Sequence, residues 1–321
     1  MRLSVFALDG VFDSGLSVLL DTFSVANDLA VAEGMERLLL TVEVVGVRQQ
    51  VRTALGLTAS VEAIDGAKRP DWVAVPALNT REPERLEQAL ARADVREAIG
   101  YLRDCHAAGA GLASACLGTF IIAETGLLDG ADATTSWPMA PLFRKRYPKI
   151  RLDDSQMITV SGRLVTAGAM MGHLDLALFL VAQASPEIAS LTARFMLVDR
   201  RSSQARYVVP SYLSQTDPLV DRFERFARAN LAGGFSLQAA AKALGVGPRT
   251  LQRRTEAVLG KSPLAFVQDL RVARAQHLVS IGLDLEAVAG EVGYADAATL
   301  RALLRRHLGR GVRELRAELQ A

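Results

Sequence analysis

Gly111-Leu112-Ala113-Ser114-Ala115-Cys116-Leu117-Gly118-Thr119-Phe120 decides the fold of the N-terminal half. Its first five residues are small or apolar and read as a buried strand; from Leu117 to Thr125 the pattern reads as an apolar helix. One cysteine stands at the joint. A sharp strand-to-helix turn needs small neighbours, because the residue at its apex adopts a strained backbone. The amino end of the following helix is expected to lower the Cys116 thiol pKa and favour thiolate. The competing reading is a buried structural cysteine packed as a small hydrophobe. The uncharged stretch around the joint, Ala107 to Ala123, is 17 residues long but contains Gly109, Gly111 and Gly118. Strand, turn and helix account for it better than a membrane span.

Outward from this joint, short apolar runs alternate with amphipathic stretches. Arg2–Leu8, Leu38–Val47 and Asp71–Pro76 read as further buried strands, with helices at Leu16–Ala32 and Glu82–Ala108. Such alternation predicts an α/β sandwich, a largely parallel sheet covered on both faces. The chain's 321 residues suit about two domains, and half of them are apolar. That composition excludes a disordered chain, a collagen-like fibre and a disulfide-stapled miniprotein. Two cysteines, Cys105 and Cys116, make no disulfide framework and point to a reducing compartment. Asp9 arrives too early for a signal peptide, so a soluble, cytoplasmic chain with no membrane partner is expected.

The formal charge of +2 hides a division. Up to Thr216 there are 21 basic and 24 acidic residues; beyond it there are 16 basic, 14 of them arginines, and 11 acidic. A basic C-terminal part suits an anionic macromolecular partner, although a solvated helical surface has the same charge count. From Pro218 the chain reads as short helices broken by Gly233-Gly234, Gly245, Gly260, Gly282, Gly293 and Gly309. Before it, a helix from Pro186 to about Val198 leads into Arg200-Arg201-Ser202-Ser203-Gln204 and Pro210-Ser211-Tyr212, a polar connector. The expected division is residues 1–188, a connector at 189–215, and residues 216–321.

The C-terminal part repeats itself. Ser236-Leu237-Gln238-Ala239-Ala240-Ala241-Lys242-Ala243-Leu244-Gly245 matches Asp284-Leu285-Glu286-Ala287-Val288-Ala289-Gly290-Glu291-Val292-Gly293 at an offset of 48. With one extra residue in the second turn, Leu251 then matches Leu300 and Gly260 matches Gly309. Each unit has an N-cap, a short apolar-faced helix, a glycine turn and an arginine-bearing second helix. That is the pattern of helix-turn-helix DNA reading, in which the second helix enters the major groove. Arg and Gln on its outer face suit guanine and adenine edges, and neighbouring arginines neutralise phosphate.

Arg249-Thr250-Leu251-Gln252-Arg253-Arg254, Gly260-Lys261-Ser262-Pro263, Leu270-Arg271-Val272-Ala273-Arg274-Ala275 and Val292-Gly293-Tyr294-Ala295-Asp296 carry a resemblance to the AraC/XylS DNA-binding domain. The resemblance implies an all-α domain with two helix-turn-helix units joined by a long helix, about Pro263–Ser280. It places the reading helices at about Pro248–Val258 and Asp296–His307. Arg249, Thr250, Gln252 and Arg253 then face DNA from the first, and Ala298, Thr299, Arg301 and Arg305 from the second. For Arg305, Arg306 and Arg310, plain surface charge is the competing reading. Thr255 stands where the family has a core phenylalanine, and Val312 where it has a second proline.

The N-terminal half resembles the PfpI type of the class I glutamine amidotransferase-like superfamily, which is flavodoxin-like in fold. Cys116-Leu117-Gly118, Ala123-Glu124-Thr125-Gly126-Leu127-Leu128-Asp129-Gly130, Ala133-Thr134-Thr135-Ser136-Trp137, Thr166-Ala167-Gly168 and Leu174-Asp175-Leu176-Ala177-Leu178 carry the match. Enzymatic members pair the elbow cysteine with a histidine after the Thr-Thr pair; this chain has Ser136. Their glutamate after the first strand is approximated by Asp13, and their Pro-Gly oxyanion donor appears as Pro76-Ala77. A cysteine without base or oxyanion hole lacks two sources of rate. His106 and His173 read as satisfied, noncatalytic histidines, and Asp175 as a helix N-terminal group. What remains is a small-molecule crevice at the carboxyl ends of the strands, lined by Asp13, Ser14, Ala77, Cys116, Leu117, Ser136, Trp137 and His173. Trp137 reads equally as an aromatic wall or a core anchor.

The sequence therefore predicts a transcription regulator, an activator by resemblance, that binds double-stranded promoter DNA as a homodimer and senses a small-molecule effector. RNA polymerase is the further partner such a role admits. No cofactor and no metal is expected. The alternatives are a cysteine-dependent hydrolase or lyase, and a redox sensor in which Cys116 is oxidised.

Overall fold

Strand pairing follows directly from the apolar runs. The computed structural model describes residues 1–35, 39–80, 82–199, 201, 203–204 and 217–308, which divide into two units, Met1–Val208 and Val209–Ala321. The first unit begins with β1 (Arg2–Phe6), α1 (Asp13–Ala32) and β2 (Thr41–Gly46). A small hairpin, β3 (Gln50–Arg52) and β4 (Thr58–Ser60), precedes β5 (Glu62–Ala63) and β6 (Trp72–Val75). Helices α2 (Pro83–Leu90) and α3 (Ala93–Ala107) lead to β7 (Gly111–Ala115) and α4 (Gly118–Glu124). After β8 (Asp132–Ala133) come a 3-10 turn at Trp137–Met139, α5 (Ala140–Arg146) and β9 (Arg151–Leu152). The unit ends with β10 (Ile158–Ser161), β11 (Leu164–Ala167), α6 (Gly172–Ala184) and α7 (Pro186–Phe195).

Seven strands form one sheet in the order β10-β11-β7-β6-β1-β2-β5, parallel except for β10. Side chains alternate between its faces. Leu3, Val5 and Ala113 meet Leu19 and Phe23 of α1 and Leu176 and Leu180 of α6 on one face. Phe6, Val73, Val75 and Leu112 meet Leu102, Phe120, Ile121 and Phe143 on the other. The parallel α/β sandwich expected from the alternation is what forms. Helix α1 is long and apolar enough to cross a bilayer. It is nevertheless a core helix, with Leu19, Phe23, Ala26 and Ala30 fully buried.

Three expectations need correction. Glu82–Ala108 is two helices, because Arg92 is extended and its guanidinium reaches the Asp9 carbonyl oxygen and the Asp94 carboxylate. The β10–β11 hairpin, turned at Gly162 with φ 61°, went unread in the sequence and supplies the antiparallel edge. The connector expected at 189–215 begins inside α7, which packs Ile188 and Ala189 into the α/β core. Ser203 and Gln204 also return to the first unit, where the Gln204 amide donates to the Ser155 carbonyl oxygen at 2.9 Å. Pro210-Ser211-Tyr212, Gly309, Arg310 and Val312 lie outside the described residues.

The second unit contains α8 (Pro218–Ala229), α9 (Leu237–Ala243), α10 (Pro248–Leu259), α11 (Pro263–Ser280), α12 (Leu285–Glu291) and α13 (Ala297–Leu308). Ser236 and Asp284 cap α9 and α12 with their side-chain oxygens, as the duplication implied. Gly245 (φ 71°) and Gly293 (φ 76°) make the left-handed turns that these short connections require. At Gly293 space matters as well, since a Cβ there would overlap the Leu231 carbonyl oxygen. Val272, Leu278 and Val279 of α11 pack with Val288, Leu300, Leu303 and Leu304, so the long helix builds the second unit's core into one body.

Candidate nucleic-acid interface and elbow crevice

In the C-terminal unit the arginines fall into two populations. Some hold the fold together. Arg254 pairs with Asp217, the N-cap of α8, at 2.6 Å, and Arg228 and Arg225 pair with Glu224 and Asp221 along α8. Arg271 is buried, donates to the Leu231 and Gly233 carbonyl oxygens, and lies 5.2 Å from the Tyr294 ring centroid. Arg249, Arg253, Arg301 and Arg305 form the other population. They are exposed and, like Arg222 on α8 and Arg274 on α11, make no ion pair among the described residues.

These four stand on the two second helices. On α10, Leu251, Thr255 and Leu259 are buried, leaving Arg249, Thr250, Gln252 and Arg253 outside. Thr255, in the core position, satisfies its hydroxyl on the Leu251 carbonyl oxygen at 2.8 Å. On α13, Ala297, Leu300, Leu303 and Leu304 face inward, and Ala298, Thr299, Arg301 and Arg305 face outward. Thr299 donates its amide to the Asp296 carboxylate at 2.7 Å and its hydroxyl to the same group at 3.1 Å, so Asp296 caps the amino end of α13. One residue went unread: Glu256, one turn beyond Gln252, accepts from the Gln252 amide nitrogen at 3.0 Å. The i,i+4 spacing was the available signal. Among the described residues no group of three or more His, Cys, Asp or Glu side chains is arranged to hold a metal ion.

In the first unit Cys116 sits at the end of β7 with φ 55°, a left-handed strain. Its amide donates to the Ala167 carbonyl oxygen, and its carbonyl oxygen accepts from the Thr135 hydroxyl at 2.8 Å. Gly118 lets α4 pass over β6, for a Cβ there would run into the Val75 carbonyl oxygen. Of the two readings of Cys116, the buried thiol is the one its surroundings favour. Burial pushes the Cys116 thiol up to about 11, and hydrogen bonds from Ser136 and the Leu117 amide only partly oppose it. A short helix terminus cannot offset full desolvation of the charged form.

His173 is fully engaged. Its Nδ1 donates to the Met170 carbonyl oxygen at 2.7 Å, and its Nε2 accepts from the Ala77 amide at 3.1 Å. Burial lowers its pKa to about 4, so the ring is neutral with the proton on Nδ1. The Ala77 amide, which occupies the oxyanion-donor position by resemblance, is thereby spent on the histidine. Asp13 opens α1 and accepts from the Leu55 amide at 3.0 Å, while Ser14 is exposed. His106 lies elsewhere, bonded to the Ala110 carbonyl oxygen. Asp175 is ion-paired to Arg201, whose guanidinium also reaches the Met171 carbonyl oxygen. Ala77, Cys116, Leu117, Ser136 and His173 are all buried, so at these five positions the crevice is closed. Trp137 is half-buried at the head of its 3-10 turn.

Residues 240–318 match a helix-turn-helix domain family of the AraC type. The HTH-type transcriptional regulator GbdR of Pseudomonas aeruginosa is 23% identical over 223 residues, 68% of this chain and 60% of that protein. CdhR, another HTH-type transcriptional regulator of that species, is 28% identical over 186 residues, 56% of this chain and 55% of that protein. The chain thus spans 60% or less of the length of these relatives. Among solved structures, a ThiJ/PfpI family protein from Pseudomonas syringae aligns with TM-score 0.50 and 17% identity, covering 62% of this chain and 76% of that one. A candidate transcriptional regulator from Vibrio parahaemolyticus aligns with TM-score 0.52 and 18% identity, covering 61% of this chain and 98% of that one. The chain therefore carries an AraC-type helix-turn-helix domain behind an α/β unit with the fold of the ThiJ/PfpI proteins.

Proposed function

We propose that this chain is a DNA-binding transcription regulator that reads promoter DNA with α10 and α13 and senses a small molecule through its α/β unit. The observation that carries the reading is the placement of four exposed arginines. Arg254 is ion-paired and Arg271 buried, whereas Arg249, Arg253, Arg301 and Arg305 stand exposed, with no ion pair among the described residues, on the two helices that a helix-turn-helix presents to a groove. Gln252 and Arg253 suit base edges. On α13, Ala298 offers apolar contact to thymine methyls and Arg301 and Arg305 suit phosphates. Glu256 adds an acceptor for cytosine N4 on the first reading helix.

The reading includes a homodimer on paired half-sites, a metabolite effector and, by family resemblance, activation through RNA polymerase. A cysteine hydrolase fits the elbow poorly, because the thiol is about four pH units from ionising at neutrality and both ring nitrogens of His173 are already bonded. The same thiol makes a poor oxidation sensor. The test is fluorescence anisotropy of the full chain on promoter fragments across a salt series. Binding should weaken as a power of salt concentration with a slope set by the number of neutralised phosphates. Affinity indifferent to salt, or no preference among promoter sequences, would refute it.

A further inference from the structure

A polar cradle beside the elbow holds a side chain of the chain itself. Gln204 is fully buried, and its Nε2 lies 3.2 Å from Thr134 Oγ1, 2.8 Å from the Thr135 carbonyl oxygen and 3.2 Å from the Gln156 carbonyl oxygen. Three acceptors converge on a nitrogen that has two hydrogens. The Gln204 Oε1 is buried and has no hydrogen-bond partner among the described residues. Its carboxamide lies against Gly168, where a Cβ would overlap it. The cradle is thus built for a nitrogen donor and serves this amide imperfectly. It also touches the elbow, since the Thr135 hydroxyl donates to the Cys116 carbonyl oxygen.

We infer that Thr134, Thr135, Gln156 and Gly168 form a subsite for the N–H donor group of a small molecule, a carboxamide or a primary ammonium, which the Gln204 side chain occupies. The inference rests on the sensing role proposed above and gives it a chemistry. Gln204 also holds its segment. Its backbone amide bonds to Ser155, the Ser203 hydroxyl donates to the same carbonyl oxygen at 2.6 Å, and Arg201 pairs with Asp175. A ligand that takes the three oxygens must displace this side chain. Tethering gives the plug an effective concentration in the millimolar range, which a free ligand has to exceed.

The test uses the full chain with Gln204→Ala and two probes, propionamide and propylammonium, read by thermal shift. N,N-dimethylpropionamide, without N–H donors, is the control. Gln204→Ala should be stabilised saturably by at least one N–H probe, with a midpoint roughly tenfold or more below that of the unmodified chain. The probe that acts assigns carboxamide or ammonium. Gly168→Ala added to Gln204→Ala should abolish the response. No saturable response to either N–H probe, or an equal response to the dimethyl amide, overturns the subsite. If Gln204→Ala does not fold, Gln204→Asn withdraws the amide by one methylene and carries the same expectation. Anisotropy on promoter DNA separates the two claims: a probe that binds Gln204→Ala through Gly168 without altering DNA affinity upholds the subsite and counts against sensing.

Discussion

His173 offers a measurement in which one side chain can be isolated. Its folded pKa is about 4 against an ordinary 6.5, because burial disfavours the charged imidazolium and the Met170 carbonyl oxygen only partly offsets this. Above pH 6.5 both folded and unfolded chains hold it neutral, and the residue contributes no pH dependence. Below that, the unfolded chain takes up a proton that the folded chain refuses, so stability falls with pH until the folded pKa is reached. At about 1.4 kcal/mol per pH unit, the loss between pH 7 and 4.5 is about 2.5 kcal/mol. Both tryptophans, Trp72 and Trp137, lie in the α/β unit, so urea unfolding followed by their fluorescence reports on that unit. His173→Gln removes the titration, whatever baseline stability it costs. The gap between the two proteins should therefore narrow by about 2.5 kcal/mol as pH is lowered from 7 to 4.5. Carboxylates shared by both chains cancel in the difference. Parallel curves would mean that the ring accepts a proton in place, and the account of Ala77 as a spent donor would fall with it.

Arg249→Ala or Arg253→Ala should weaken DNA binding by about 1–3 kcal/mol in anisotropy titrations, and loss of sequence preference would distinguish base reading from phosphate contact. Arg271→Met leaves the Leu231 and Gly233 carbonyl oxygens without their donor and should cost roughly 2–4 kcal/mol of C-terminal helical stability by circular dichroism, with tryptophan fluorescence unchanged. Labelling of Cys116 by a thiol reagent should be slow at pH 7 and rise about tenfold per pH unit toward pH 10; fast labelling at neutrality would show an ionised thiol.

Much of this architecture was legible because it rests on local signals. The β7 run matches Gly111–Ala115, and the caps Ser236 and Asp284 and the turns at Gly245 and Gly293 fall where the repeat put them. Caps and glycine turns act over a few residues and can be read without a partner. What escaped depended on distant atoms. Gln204 and Arg201 sit in a polar stretch with no periodicity, and only the oxygens of residues 134, 135 and 156 and the carboxylate of Asp175 give them meaning. The thiol of Cys116 admitted two readings for the same reason: its neighbourhood in sequence suggests a helix amino end, whereas its burial is set by elements far along the chain. Even the arginine count was ambiguous until Arg254 and Arg271 were seen to be structural.

An elbow whose apex thiol is buried still keeps its strained backbone, and its neighbours explain why. The left-handed turn at Cys116 sets α4 over Pro76 through Gly118 and points the Cys116 carbonyl oxygen at Thr135. Thr135 in turn offers its own carbonyl oxygen to Gln204, so a continuous hydrogen-bonded path runs from the apex to Gln204. If the backbone matters and the sulfur does not, substitutions should sort by their tolerance of φ 55° rather than by nucleophilicity. Cys116→Gly relieves strain of about 1–3 kcal/mol while leaving a small void, and should keep both stability and DNA response close to those of the unmodified chain. Cys116→Ser should do nearly as well. Cys116→Val, β-branched at a positive φ, should lose a further 2 kcal/mol or so in urea unfolding and uncouple effector from DNA. Chemistry at sulfur demands another order, with Gly, Ser and Val equally inactive, and that pattern in the DNA-binding assay would return the elbow to its enzymatic reading.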